Sequence, residues 1–72
     1  MNSALRLQVT VNGQARSVDA GATIETLLDA LGVAGDGVAV AVNDEIVLRS
    51  VWSHARLRDH DRVEVLSATP GG

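Results

Sequence analysis

Thr23-Ile24-Glu25-Thr26-Leu27-Leu28-Asp29-Ala30-Leu31-Gly32 is the stretch that decides the fold. Ile24, Leu27, Leu28 and Leu31 stand at i, i+3, i+4 and i+7, which places four apolar side chains on one face of an α-helix. Thr23 can cap its start by accepting a backbone N–H bond. Glu25 sits in the first turn, toward the positive end of the helix dipole. Gly32 suits the left-handed conformation just past a helix end. One short amphipathic helix must bury its stripe against something else, and the flanking sequence supplies strands.

Upstream, Leu5, Leu7, Val9 and Val11 alternate with Arg6, Gln8 and Thr10, the period of a strand with one buried face. Asn12-Gly13 predicts a tight hairpin turn, since both residues tolerate positive φ. The chain returns as a second strand from Ala15 to Val18, and Asp19-Ala20-Gly21-Ala22 breaks that pattern. Downstream of a Gly35-Asp36-Gly37 loop, Val38, Val40 and Val42 alternate with Ala39 and Ala41. That strand has apolar atoms on both faces and is expected near the centre of a sheet. Asn43-Asp44 predicts a second tight turn, and Glu45 to Leu48 a short strand. No period holds from Arg49 to Leu57, so irregular chain or a short 3₁₀ turn is expected, with Val51, Trp52 and Leu57 pinning it to the core. Asp59-His60-Asp61 reads as a turn, and Arg62 to Ala68 as a last strand with Val63 and Val65 inward.

The order β-β-α-β-β-β requires one helix to cover one face of one mixed sheet. The expected class is α+β, a ubiquitin-like β-grasp with four to five strands. Residues 1–68 form its body, and Thr69-Pro70-Gly71-Gly72 a projecting tail without strand or helix signal.

Seventy-two residues make one small domain, and chains this short often need disulfides or a metal to stay folded. There is no cysteine, which excludes disulfides, thiolate metal sites and an iron–sulfur ferredoxin. The 46% apolar content must therefore suffice. A net charge of −3 and a single aromatic residue, Trp52, argue against nucleic acid and anionic membranes as partners. No apolar run approaches the roughly 20 residues of a membrane span. Met1 to Arg6 lacks signal-peptide character. The expected location is the cytoplasm.

Few residues could carry chemistry. His54 and His60 sit on irregular chain without a metal-ligand spacing, and we read them as solvated. Asp59 and Asp61 are turn residues rather than a catalytic pair. Trp52 is better used in an otherwise aromatic-free core than as an exposed anchor. Asn12-Gly13-Gln14-Ala15-Arg16 lacks the glycines and lysine of a phosphate loop. A chain of this size has little room for both a core and a ligand pocket, so it is not expected to be an enzyme, to hold a metal or to bind a cofactor stably. The terminal Gly71-Gly72 remains. Without Cβ atoms, such a segment can thread a narrow cleft and bring its carboxylate to a buried reaction centre. A carboxylate is a poor electrophile when ionised, so a partner would have to activate it.

Taken together, Val11-Asn12-Gly13, Gly21-Ala22-Thr23-Ile24, Leu27-Leu28, Leu31-Gly32, Gly37 to Asn43, Glu45-Ile46-Val47, Arg49-Ser50, Trp52, Asp61 to Val65, Ala68 and Gly71-Gly72 resemble the sulfur carriers of the thiamine pathway, the ThiS family. The chain departs from the family pattern at Asp44, where Gly is usual, at Leu48, where Pro is common, at His60, where a turn Gly is common, and at Pro70, ahead of the glycines. The resemblance implies that an E1-like enzyme adenylates the Gly72 carboxylate with Mg-ATP. Sulfur from a persulfide then yields a thiocarboxylate, and thiazole synthase accepts that sulfur. Gly72 would carry the reactive group and Gly71 the threading. Partner contacts are expected at Pro70 in the tail and at Leu66, Leu48, Ala39 and Ala41 on the sheet face away from the helix, with nearby arginines adding charge contacts. Other readings are a carrier for another pathway, such as the small subunit of molybdopterin synthase, a protein modifier, or a binding module that adds a strand to a partner. All six basic residues are Arg, so self-linked chains through lysine are excluded, although single attachments are not.

Overall fold

Two hairpin turns frame the molecule, and both have positive φ at both central residues: Asn12 (51°) with Gly13 (84°), and Asn43 (52°) with Asp44 (72°). Turns of this hand match the right-handed twist of the strands they join. In this computed structural model, which describes residues 6–67, the first turn joins β1 (Arg6–Val11) to β2 (Gln14–Asp19) and the second joins β3 (Val38–Val42) to β4 (Glu45–Val47). Helix α1 (Ile24–Leu31) lies between the hairpins, and β5 (Arg62–Ser67) closes the order.

The five strands form one sheet in the order β2-β1-β5-β3-β4. The last strand is therefore the middle one. It runs parallel to β1, with Val11 opposite Val63, and antiparallel to β3, with Val40 opposite Val65. The expected β-grasp is present with five strands; β3 is interior, as its apolar faces implied, but one place off centre.

Helix α1 forms as its sequence directs. The Thr23 hydroxyl accepts from the Thr26 amide (3.2 Å), and the Thr26 hydroxyl accepts from the Thr23 amide (2.9 Å), a reciprocal cap made with Thr where Glu or Gln is commoner. Gly32 ends the helix at φ 73°. The helix buries Ile24, Leu27 and Leu28 against Val9, Val11, Val40, Val63, Trp52 and Leu57, while Leu31 is half-buried. Among the described residues these nine side chains form the core.

The segment after β4 departs from expectation in two ways. Strand β4 stops at Val47, because Arg49–Val51 forms a 3₁₀ turn with Leu48 as its extended lead-in. Val51 does not reach the core and is 45% exposed. Successive residues of a tight three-residue turn point in different directions, so not all of them can face inward. Trp52 and Leu57 take the inward positions, and the Trp52 indole N–H donates to the Val47 carbonyl (2.9 Å). Strand β2 is longer than expected by one residue at each end. Ala68, the projected tail 69–72 and Leu5 lie outside the described residues.

The Arg58–Asp61 turn that leads into β5 is held by Asp61, the one buried polar residue among those described. Its carboxylate accepts from the Arg58 amide (2.8 Å) and the Asn43 side chain (2.9 Å). His60 occupies this turn at φ 72° with its side chain exposed. A residue with a Cβ is strained there by about 1–2 kcal/mol, and Gly is not. The greater entropy of Gly in the unfolded chain offsets part of that gain. The variant His60→Gly is therefore expected to gain roughly 0.5–1 kcal/mol, read as a rise of about 3–6 °C in Tm by circular dichroism.

Candidate functional site

The sheet has one covered and one open face, and alternation decides which residues lie on each. In β5, Val63 and Val65 turn toward the helix, leaving Arg62, Glu64 and Leu66 on the open side. The register then sets Ala39 of β3 opposite Leu66 and Ala41 opposite Glu64. Across the next pairing, Ala41 faces Ile46 of β4. Leu66, Ile46 and Leu48 are each about two-thirds exposed (67, 68 and 67%), a high value for large apolar side chains that are close together.

The structure thus brings Leu66, Ala39 and Ala41 into one surface, as expected, with Leu48 following β4 at its margin. Ile46, outside the expected contact residues, belongs to the same surface. Its signal was available: in Glu45-Ile46-Val47, an inward Val47 puts Ile46 outward. Small alanines in the centre with larger apolar side chains around them make a shallow seat rather than a pocket. A depression lined by Asn12, Gly13, Ala41, Arg62, Glu64 and Leu66 adjoins it. Pro70, Gly71 and Gly72, expected in the site, lie outside the described residues.

Charge at the rim of this seat comes from Arg62 and Glu64, while Arg49 lies on the helix side beside Glu25, Leu28 and Asp29; both arginines are already paired internally. Arg62 donates to Asp44 (2.6 Å) and Arg49 to Asp36 (3.0 Å). The hydrogen bond that Arg62 donates to Asp44, and then the charge of Asp44, hold its guanidinium above its ordinary pKa, and an arginine is a cation at every working pH in any case. Both arginine side chains are more than half exposed and can exchange an intramolecular carboxylate for a partner's at little cost.

The histidines form no site with the carboxylates. The His54 ring is 3.1 Å from the Ser53 hydroxyl, and the His60 ring is 3.2 Å from Asp59 on the surface. Asp59 and Asp61 serve the backbone, since the Asp59 carboxylate accepts from the Gln8 amide (2.7 Å). Among the described residues no three His, Asp or Glu side chains converge as a metal site. None of the described helices is long and apolar enough to cross a membrane.

The ThiS family model matches residues 9–72, nearly the whole chain and both terminal glycines. The chain belongs to the ThiS family. Among ThiS relatives, the sulfur carrier protein ThiS of Escherichia coli is 33% identical over 66 residues, covering 92% of this chain and 100% of that protein. The crystal structure of the thiamine biosynthesis protein ThiS from Geobacter metallireducens has 35% identity and a TM-score of 0.77, covering 92% of this chain and 100% of that one. The thiazole synthase of Paramagnetospirillum magneticum is 36% identical over 66 residues, or 92% of this chain but only 20% of that protein. The chain thus spans about one fifth of the thiazole synthases it matches and the full length of the separate ThiS carrier.

Proposed function

We propose that this ThiS sulfur carrier of thiamine biosynthesis works through its own C-terminal carboxylate, on Gly72. The observation that carries the reading is a family match running through Gly71-Gly72 on a fold whose middle strand leads directly into that tail. An ionised carboxylate needs activation. An E1-like enzyme supplies it by transferring AMP from Mg-ATP to the Gly72 oxygen, with release of pyrophosphate. The terminal sulfur of a protein persulfide attacks the acyl carbon and AMP leaves. A second thiol then reduces the sulfur–sulfur bond, freeing a Gly72 thiocarboxylate. The sulfur is nucleophilic and tethered, suited to delivery inside an acceptor enzyme. Thiazole synthase is that acceptor. The similarity between this chain and part of longer thiazole synthases supports the pairing, since a shared polypeptide would keep donor and acceptor together. The Mg-ATP belongs to the partner, and the carrier acts as a co-substrate in the cytoplasm.

The open face is where those partners rest. Five residues separate Ser67 from the end of Gly72, a reach of about 17 Å when extended. An enzyme that engages Gly72 therefore lies against the end of β5 and its neighbours. Buried apolar anchors of this kind commonly contribute about 1–2 kcal/mol or more to an interface. Leu66→Asp is accordingly expected to raise the KM of the carrier in adenylation by roughly tenfold or more with Tm unchanged, because Leu66 is exposed. Unaltered kinetics in that variant would remove the open face from the account.

A further inference from the structure

Strand alternation and register place the charges of the open face. Arg6 of β1 lies there opposite Asp19 of β2, and β5 contributes Arg62 and Glu64. The turn between β3 and β4 brings Asp44 to the same side. Four of these groups pair off, Arg6 with Asp19 and Arg62 with Asp44. Glu64 is left over. Its carboxylate makes no hydrogen bond and no ion pair with a described residue. Arg62, two residues before it on the same face, gives its hydrogen bond and the larger part of its charge attraction to Asp44, toward the turn and away from Leu66; Glu64 acts on it more weakly. Asn12 is also engaged, since its carboxamide accepts from Val65 N–H (2.8 Å) and donates to the Val65 carbonyl (3.2 Å).

Glu64 lies inside the area a partner must cover. Ala41 stands directly opposite it on β3. Leu66 follows two residues later on the same face, about 7 Å along the strand. A partner seated on Leu66, Ala39 and Ala41 therefore removes water from Glu64 as well. A carboxylate taken out of water is strongly disfavoured unless a cation meets it. The depression beside it is open because Gly13 and Ala41, on either side, carry little or no side chain. An arginine or lysine can lay its aliphatic stem along Leu66 and Ala41 and set its charged head at Glu64. A second copy of this chain suits the face less well. Two copies joined through the same patch bring two Glu64 carboxylates into one contact, while the arginines of that face are held by Asp19 and Asp44.

We propose that Glu64 is the specificity-determining charge of the open face, and that the surface it fits is an apolar patch carrying an arginine or lysine, presented by the E1-like adenylating enzyme. The inference rests on the functional reading above, in which that enzyme lies against β5. The net charge of −3 favours the same encounter at long range, and the cation over Glu64 sets its register.

The test follows pyrophosphate release with the E1-like enzyme and Mg-ATP, at low and high salt, for the wild type, Glu64→Gln and Glu45→Gln. Glutamine keeps the size of each side chain and removes one negative charge. Glu45 is the control, because it is exposed and stands opposite the inward Val42, on the helix side of β4. In Glu64→Gln, KM at low salt is expected to rise about five- to tenfold, with kcat within about twofold and Tm unchanged. Wild-type KM should climb more steeply with salt than that of Glu64→Gln, because screening weakens the contact that the variant lacks. Glu45→Gln should stay within about twofold of wild type throughout. An unchanged or lower KM in Glu64→Gln would overturn the proposal and leave the functional reading intact. An equal rise in Glu45→Gln would reduce the effect to net charge and overturn it too. Sedimentation of the wild-type carrier at the assay concentration is expected to show a monomer; a dimer that dissociates in Leu66→Asp would give the face to a second copy and overturn the proposal. A wild-type chain that releases no pyrophosphate would defeat the functional reading first, and this one with it.

Discussion

Adding one alanine after Gly72 is expected to abolish thiazole formation while leaving the fold untouched. The added residue moves the terminal carboxylate by about 3.3–3.6 Å when the tail is extended, and it carries a Cβ into a cleft suited to glycine. A displacement of about 1 Å at a reacting centre already costs on the order of 10²-fold in rate. Adenylation should therefore drop by at least about that factor, and cells relying on the extended carrier should fail to grow without thiamine or its thiazole precursor. The nearest described residue is Ser67, and the core is Val9, Val11, Ile24, Leu27, Leu28, Val40, Trp52, Leu57 and Val63, so Tm should not move. Growth at the wild-type rate would show that no free Gly72 carboxylate is needed.

Trp52→Ala is expected to have the largest effect on stability. Trp52 is 5% exposed, packs within the core and donates its indole N–H to Val47. Truncating a buried Trp costs about 3–5 kcal/mol, and the unanswered Val47 carbonyl adds to that. A chain of this length has a total stability of roughly 4–11 kcal/mol, by the usual range per residue. The variant should therefore lose between about a quarter and all of its stability, with Tm depressed by some 15 °C or more, as followed by far-ultraviolet circular dichroism. Its neighbour offers a control. Val51 is 45% exposed, and Val51→Ala should stay within about 0.5 kcal/mol of wild type. A cooperative, wild-type-like transition in Trp52→Ala would mean that the indole does not hold the segment after β4 against the sheet.

The contrast between Val51 and Trp52 marks how far the sequence could be read. The helix was legible because Ile24, Leu27, Leu28 and Leu31 obey one period and Thr23 and Gly32 punctuate it, all within ten residues. The hairpins were legible because Asn12-Gly13 and Asn43-Asp44 accept the positive φ that such turns demand. Local chemistry fixed those elements. In the segment 49–57 no period operates, and inward or outward orientation depends on the 3₁₀ turn and on what the rest of the chain leaves open. Long-range pairing is harder still. That β5 lies between β1 and β3 joins residues some fifty positions apart, and no local pattern of Arg62 to Ser67 specifies it.

The site shows the same division. Leu66, Ala39 and Ala41 could be assigned to the face away from the helix by alternation, and the register brings them together. Leu48 could be placed near them but not as the lead-in to a turn, because the end of β4 depends on the Trp52 indole reaching Val47. The reach of Asn12 and Asn43 to β5 could not be read at all: their turn chemistry explains their presence on its own and hides a second use. His60 and Asp44 illustrate the reverse. Both read as ordinary turn residues in the sequence, yet both stand at positive φ, a strained backbone position for a residue with a Cβ.

The central claim concerns one acyl group, and intact mass spectrometry addresses it directly. The purified carrier is incubated with the E1-like enzyme, Mg-ATP, a persulfide sulfur source and a thiol reductant, and its mass is compared with that of the untreated chain. The account predicts a gain equal to the replacement of one oxygen by one sulfur, lost when ATP is omitted and located to Gly72 by fragmentation. A carrier that consumes ATP in this mixture yet keeps its original mass, or gains sulfur anywhere other than Gly72, would contradict it.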